Sequence, residues 1–305
     1  MMLPGKHHRE LVSVVIPTFN RAPLIGRAIS SVLAQSYPDI EVLVIDDGST
    51  DDTPKVIQAF VDPRIRYLRR KTNLGASASR NEGIAAASGA FVAYLDSDDT
   101  WEPHKVERQL SAIRCHTDPS KVVSYSQIAI RRNNHDHILP LREKRADESI
   151  ADYVLSDGCA IFPSTVLLST SLAQSTPFNQ KYRIKEDWDH FIELENAGAE
   201  WLFIQSPLTI YQGDRSIARL SGTSTPEENL TWLKDHQAHL SPATTQTFLL
   251  GPVLQAIIST GENKARGVRI VLSAMSAKAI SRKRAFSYLI DIALRRFAKR
   301  LLRRR

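Results

Sequence analysis

Three carboxylates, Asp96, Asp98 and Asp99, fall within four positions in the stretch AYLDSDDTW, Ala93 to Trp101. Like charges this close disfavour one another's ionisation, so their crowding needs something to relieve it. A hard divalent cation would do so. Mg²⁺ and Mn²⁺ favour oxygen ligands, and Mg²⁺ commonly uses one or two carboxylates together with substrate phosphates. Carboxylates at positions i and i+2 of a turn, here Asp96 and Asp98, can both reach one ion or its ligands, and the ion's charge offsets their repulsion. A second acidic pair, Asp46 and Asp47, stands in the stretch EVLVIDDGS. Asp47-Gly48-Ser49 also reads as a plain turn, and a D-x-D is common in surface turns. The chemistry therefore depends on which elements hold these acids.

The first half of the chain alternates between two periodicities. Leu11 to Pro17, Glu41 to Asp46, Ile65 to Leu68 and Ala90 to Leu95 are short apolar runs that read as buried strands. Between them, Leu24 to Gln35, a segment opening at Thr50 to Pro54, and Ala76 to Ala87 carry helical spacing or helix-start signals. A β-α-β-α-β-α-β order predicts an α/β fold whose mostly parallel sheet is flanked by helices. Ligands of such sheets bind outside the carboxyl ends of the strands, where both acidic groups fall. Further on, Val106 to Ile113 predicts a helix and Val122 to Ile130 a strand. Asn133 to Ser149 reads as a polar loop, Glu186 to Ala197 as a helix, and Trp201 to Tyr211 as two short strands around Pro207. His135 and His137 could suggest a metal, but an exposed polar loop accounts for them better. From Pro226 the pattern is helical almost to the end. The composition shifts near Ser216 to Thr225, which sets a catalytic domain over residues 1–215 and a helical C-terminal region over 216–305.

No G-x-G-x-x-G and no G-K-[ST] is present, which argues against dinucleotide-dependent oxidoreduction and P-loop ATP hydrolysis. A nucleotidyltransferase would need a glycine-rich basic loop after the first strand, and PTFNRAPLIG has one arginine and one late glycine.

Five stretches occur in order: VSVVIPTFNRAPLIGRAISSVLAQSY, EVLVIDDGSTDDT, NLGASASRNEGI, GAFVAYLDSDDTWEPHKVE and KEDWDHFIEL. Together they resemble the family 2 glycosyltransferases, which have the GT-A, Rossmann-like nucleotide-diphospho-sugar transferase fold, over about residues 11 to 212. The resemblance implies an inverting transferase using Mn²⁺ or Mg²⁺ and a nucleotide-sugar donor, typically a UDP-sugar. It implies that Pro17, Thr18 and Asn20 line the nucleotide pocket. Asp47 would accept from the base, Asp46 would support it, and Arg80 would reach the base or the phosphates. Asp96 and Asp98 would flank the ribose and the metal–diphosphate, Asp99 would share the metal role, and Asp187 would be the general base. Glu186-Asp187 has another reading, an acidic pair favoured at a helix N-terminus. His190 reads as packed or solvated, Trp101 and Trp188 as walls or core, and Arg215 and Arg219 as weak candidates for diphosphate contact. Neither the Q-x-x-R-W motif nor the transmembrane helices of the processive polysaccharide synthases are present, so one sugar per encounter is expected. The acceptor would be a carbohydrate or a lipid-linked glycan. The different-class alternative is a non-catalytic scaffold of the same fold, tethered at the membrane.

The chain of 305 residues is 42% hydrophobic and 24% charged, with a formal net charge of +7, an ordinary globular composition. Its two cysteines, Cys115 and Cys159, make no disulfide framework or metal spacing and are expected reduced and packed. The N-terminal residues carry no signal-like apolar core. The longest apolar stretch, Phe248 to Ile258, falls short of the ~20 residues a membrane helix needs. A cytoplasmic address follows, with a peripheral place on the cytoplasmic membrane face left open. Residues 278–305 hold eleven Lys and Arg against one acid, Asp291, a net +10 that leaves the rest at −3. There Phe286, Leu289, Ile290, Ala293, Leu294, Phe297 and Leu301 share one helical face, and Arg295, Arg296, Lys299 and Arg303 the other. This is the pattern of an interfacial helix on an anionic membrane surface. A helix packed on the body is the other open reading. Nucleic acid would leave the apolar stripe idle and is not expected as a partner.

Overall fold

The computed structural model describes residues 10–132, 135–212, 224–277 and 279–302, with the side chains of 132, 135, 212 and 294–302 outside that description. The chain divides into two compact units, one of residues 1–150 with 157–216, the other of 151–156 with 217–305.

The first unit is a mixed α/β sheet flanked by helices. Its strands are β1 (Val12–Thr18), β2 (Ile40–Asp46), β3 (Ile65–Arg69), β4 (Phe91–Tyr94), β5 (Asp99–Trp101), β6 (Val122–Arg132), β7 (His135–Leu139), β8 (Val166–Ser169) and β9 (Glu200–Gln212), in the order β3-β2-β1-β4-β8-β6-β9-β5 with β7 beside β6. The β3-β2-β1-β4 portion is parallel, and β8 joins β4 antiparallel. β1 and β4 hold no charged residue and β2 holds two, Glu41 and Asp46; all three are almost wholly buried, as expected of strands covered on both faces. The helices α1 (Ala22–Leu33), α2 (Thr53–Gln58), α3 (Ala76–Ala86) and α4 (Lys105–Arg114) connect or follow these strands, and α5 (Ile150–Leu155), α6 (Thr170–Ser175) and α7 (Glu186–Asn196) come next in chain order. From β1 the chain builds outward through β2 to β3, then returns to place β4 on the other side of β1. That reversal makes the carboxyl ends of β1 and β4 a topological switch point, where α/β sheets bind ligands. Helix α3 crosses close to β1 at Gly83, where an added Cβ would collide with the Val15 side chain.

Three local expectations are corrected. The polar segment after β6 contains β7, a hairpin strand paired with Ile128 to Arg132; its partly exposed face hides it from a hydrophobic pattern. Residues 200–212 form one strand, not two. Its register against β6 shifts around Gln127 and Pro207, and that irregularity accommodates a proline that lacks a ladder donor. Cys115 is exposed rather than packed, whereas Cys159 is buried.

The second unit is helical: α8 (Pro226–His236), α9 (Pro242–Phe248), a π-helical turn (Leu249–Val253), α10 (Leu254–Thr260), α11 (Lys264–Ser276) and α12 (Arg282–Leu302). Thr225 and Glu228 form a reciprocal capping box at the start of α8. Leu254, Val271, Ala285 and Ile292 make the core, with Tyr288 and Leu289 packed against it. The single apolar stripe expected on α12 is therefore split. Leu289 turns to the core, while Phe286 is 67% and Ile290 38% exposed. The side chains of Leu294, Arg295, Arg296, Phe297, Lys299 and Leu301, and all of Arg303, lie outside the described residues. No helix among the described residues is long and apolar enough to cross a membrane.

Candidate active site

Parallel pairing brings the ends of β1 and β2 together, Thr18 opposite Asp46, and Asp47 N–H donates to the Thr18 carbonyl at 2.9 Å. Asp46 is fully buried. One oxygen accepts from Ser49 N–H at 2.8 Å and the other from the Tyr67 hydroxyl at 2.7 Å. Burial first, and then this carboxylate, push the Tyr67 phenol well above its ordinary pKa. Asp47 is also buried, and its carboxylate accepts from Leu74 N–H at 2.9 Å, Gly75 N–H at 2.7 Å and Arg70 Nη1 at 3.2 Å. It thereby anchors the loop that opens α3, where Gly75 has φ 92°, a conformation that favours glycine. A base seeking Asp47 would share oxygens already held by this loop. Asn20, at φ 52°, likewise serves the strand-end loops: its Oδ1 accepts from Thr50 N–H at 2.8 Å, and its own N–H donates to Ser49 Oγ at 2.9 Å. Pro17 is half-buried beside them. Thr18 Oγ1 is buried with no hydrogen-bond partner among the described residues.

The three acids after β4 differ in surroundings. Asp96 and Asp98 are half-buried, and Asp99 is 2% exposed. Asp99 opens β5, and its Oδ2 accepts from Ser164 Oγ at 2.6 Å. That oxygen faces the protein. The same Ser164 Oγ accepts from Asp96 N–H at 3.0 Å. The Ser164 carbonyl accepts from Trp101 Nε1 at 2.8 Å and Thr209 Oγ1 at 3.0 Å. One buried serine thus fixes both ends of the Asp96–Asp99 turn. Sequence reasoning missed it because FPST, 68 residues away, carries no motif. No group of three or more His, Cys, Asp or Glu among the described residues forms a metal cage.

Arg80, 4% exposed, connects this turn to the later KEDWD segment. Its Nη2 donates to Asp96 Oδ1 at 2.8 Å and its Nη1 to Glu186 Oε1 at 2.9 Å. The guanidinium also lies 5.1 Å from the Phe178 ring centre. Glu186 and Asp187 begin α7 (Glu186–Asn196), directly after Lys185 at φ 62°. Burial chiefly, and then the Glu186 charge, push the Asp187 carboxyl up to about 7, against the opposing pull of Arg80 and the Trp188 N–H. That is the opposite of what a helix N-terminus alone does to an acid. His190, fully buried, stacks on Phe178 with ring centres 3.8 Å apart, and burial with the Arg80 charge holds its pKa down to about 3. It is a neutral packing residue. Trp101 is core, 4% exposed, and Trp188 is half-buried. Arg215 and Arg219 lie outside the described residues.

The family model for "Glycosyl transferase family 2" matches residues 13–167, half of the chain. The chain is 28% identical over 244 residues to the amylovoran biosynthesis glycosyltransferase AmsB of Erwinia amylovora, covering 77% of this chain and 81% of that protein. It is 35% identical over 178 residues to WfgD of Escherichia coli, a UDP-Glc:alpha-D-GlcNAc-diphosphoundecaprenol beta-1,3-glucosyltransferase, covering 58% of this chain and 67% of that one. Among solved structures, it superposes on residues 1–349 of Staphylococcus aureus TarS in complex with UDP-GlcNAc. The TM-score is 0.61 at 20% identity, over 92% of this chain and 89% of that chain.

Proposed function

The chain belongs to glycosyl transferase family 2 and is a glycosyltransferase, and from that premise we propose that it transfers one sugar, with inversion, from a UDP-sugar to an acceptor hydroxyl in the assembly of a cell-surface polysaccharide. The observation that carries this reading is the Arg80 bridge. Its two ion pairs, to Asp96 and to Glu186, hold the acidic turn at the switch point against the helix start that bears Asp187. A carboxylate poised near neutrality is suited to take a proton from an acceptor hydroxyl. Inversion requires that base on the face opposite the departing diphosphate. Asp96 and Asp98, half-buried and two positions apart in the turn after β4, suit an ion whose remaining ligands come from the donor's phosphates, which needs no complete protein cage. When bound, Mn²⁺ or Mg²⁺ would neutralise the charge developing on the leaving diphosphate. Thr18, Asp46, Asp47 and the loop from Arg70 to Gly75 would frame the nucleoside. The names of the relatives supply the substrate classes: a diphosphoundecaprenol-linked acceptor for WfgD and a polysaccharide for AmsB. A lipid-linked acceptor would give the exposed Phe286 and Ile290 on α12 and the basic C-terminal residues a membrane surface to lie on.

A thermal-shift screen with Mn²⁺ tests the donor. A UDP-sugar should raise the unfolding midpoint where GDP- and dTDP-sugars do not, since a ligand at a hundredfold its Kd stabilises by about 2.7 kcal/mol. Turnover follows by UDP release, with Asp187→Asn as the control. No shift with any nucleotide sugar, or full turnover by Asp187→Asn, would overturn the reading. Metal-dependent donor binding without turnover toward any acceptor would favour the non-catalytic scaffold instead.

A further inference from the structure

The second unit carries its own open groove of about 580 Å³, which the reaction does not use. Its apolar lining comes from Leu230 on α8, Leu249 in the π-helical turn and Ile270 on α11. Its polar lining includes Arg266 and Arg269, both on α11 and three residues apart, and Gln246 on α9. Positions three and four apart share a helix face, so both guanidinium groups and Ile270 border the same space. Both arginines are exposed, and neither has an ion-pair partner among the described residues. Helix α11 holds Lys264, Arg266 and Arg269 and no acid. The Gln246 amide nitrogen is buried without an acceptor among the described residues. Three donors around an apolar floor suit a ligand that is anionic at one end and apolar along its length.

The exposed apolar surface points the same way. Of the eight large apolar side chains exposed among the described residues, Leu272 and Met275 are on α11 and Phe286 and Ile290 on α12. Half of such exposure is therefore concentrated on two adjacent helices whose charged residues are mostly basic. A free phosphate would leave Leu230, Leu249 and Ile270 idle, and a purely apolar ligand would leave both arginines uncompensated.

We propose that this groove seats one anionic phospholipid of the membrane surface, its phosphate between Arg266 and Arg269 and the first methylenes of its chain along Leu249 and Ile270. The proposal rests on the membrane-surface part of the function above and gives it a defined lipid site, separate from the basic residues of α12.

Vesicle partitioning of the full chain tests it. Wild type should bind vesicles of phosphatidylglycerol and phosphatidylcholine and leave those of phosphatidylcholine alone. Arg266→Ala/Arg269→Ala should bind about thirtyfold less tightly, the factor expected when two cations near an anionic leaflet are lost. Leu249→Gln, which keeps both charges, should also weaken binding. Dihexanoyl phosphatidylglycerol below its micelle concentration should compete with vesicles for wild type but not for the double variant. Equal partitioning of wild type and double variant overturns the groove site while leaving the membrane reading intact. Competition by inorganic phosphate as strong as by the short-chain lipid makes it an anion site and overturns the lipid. Wild type that ignores anionic vesicles overturns both. UDP-sugar binding with Mn²⁺, measured on the same preparations, should be unchanged in all three proteins and reports on the donor reading independently.

Discussion

Replacing Asp187 by Asn should move activity and stability in opposite directions. The carboxyl has an ordinary value of 3.8 and is raised to about 7 in the folded chain. Between those two pH values the folded state keeps a proton that the unfolded state has released. The contribution of this group to stability is therefore fully present below about pH 4 and is lost as pH rises through about 7. A gap of about three pH units at 1.36 kcal/mol each amounts to about 4 kcal/mol. Asp187 retains some contact with solvent, and screening reduces this to about 2 kcal/mol. Asp187→Asn removes the titration, so its loss of stability between pH 5 and pH 8.5, which spans about two of those three units, should be smaller than that of wild type by about 1.4 kcal/mol. Urea unfolding at the two pH values measures the difference. Activity has the opposite sign, because the base must be deprotonated. Wild-type kcat/KM, which reports the free enzyme, should rise with pH to a plateau above about 7, and Asp187→Asn should lose about 10² to 10⁴ of it. Parallel stability profiles for the two proteins, or a wild-type kcat/KM that is flat from pH 6 to 8, would refute the raised carboxyl and with it the assignment of the base.

Arg80→Gln removes a charge that holds the Asp187 carboxyl down, so the rise in kcat/KM should move to higher pH. The fold should lose roughly 3 to 5 kcal/mol, because a buried ion-pair network is broken from one side. Ser164→Ala strips a partner from both Asp96 N–H and the Asp99 carboxylate. It should destabilise the protein by about 1 to 3 kcal/mol and raise the donor KM more than it lowers kcat. Gly83→Ala forces a methyl onto Val15, and calorimetry should find it less stable by about 1 to 3 kcal/mol.

The part of the fold legible in the sequence is the part with one periodicity per element. Val12–Thr18 and Ile40–Asp46 lie in a sheet covered on both faces, so each contains an unbroken apolar run, Val14 to Pro17 and Val42 to Ile45, that marks the strand directly. His135–Leu139 pairs on one side only and offers no such run. Pro207 reads as a strand breaker, and only the partner strand reveals that a register shift absorbs it. The site divides similarly. The acids were legible because they follow strand ends in a fixed order. Their partners were not, because Ser164 meets Asp96 across 68 positions, Phe178 meets Arg80 across 98, and Arg80 meets Glu186 across 106. No local spacing rule connects residues that only the sheet brings together. The same limit hid the surroundings of Asp99, which shares a four-residue stretch with two more exposed acids but accepts from Ser164.

Arg80 is where these separate observations become one mechanism. A guanidinium fork can hold two carboxylates at fixed geometry, which an ammonium cannot. Here it holds one from the turn after β4, Asp96, and one from the start of α7, Glu186. A metal or diphosphate arriving at Asp96 would change the charge that Arg80 feels, and Arg80 in turn acts on the Asp187 carboxyl. Drawing Asp96 toward a cation would leave more of the guanidinium's field for Glu186 and Asp187, and so favour the ionised base once the donor is in place. The kcat profile of the donor-bound enzyme should then turn at lower pH than its kcat/KM profile. Arg80→Gln should bring the two together, and an unchanged separation in that variant would show that Arg80 does not carry the coupling.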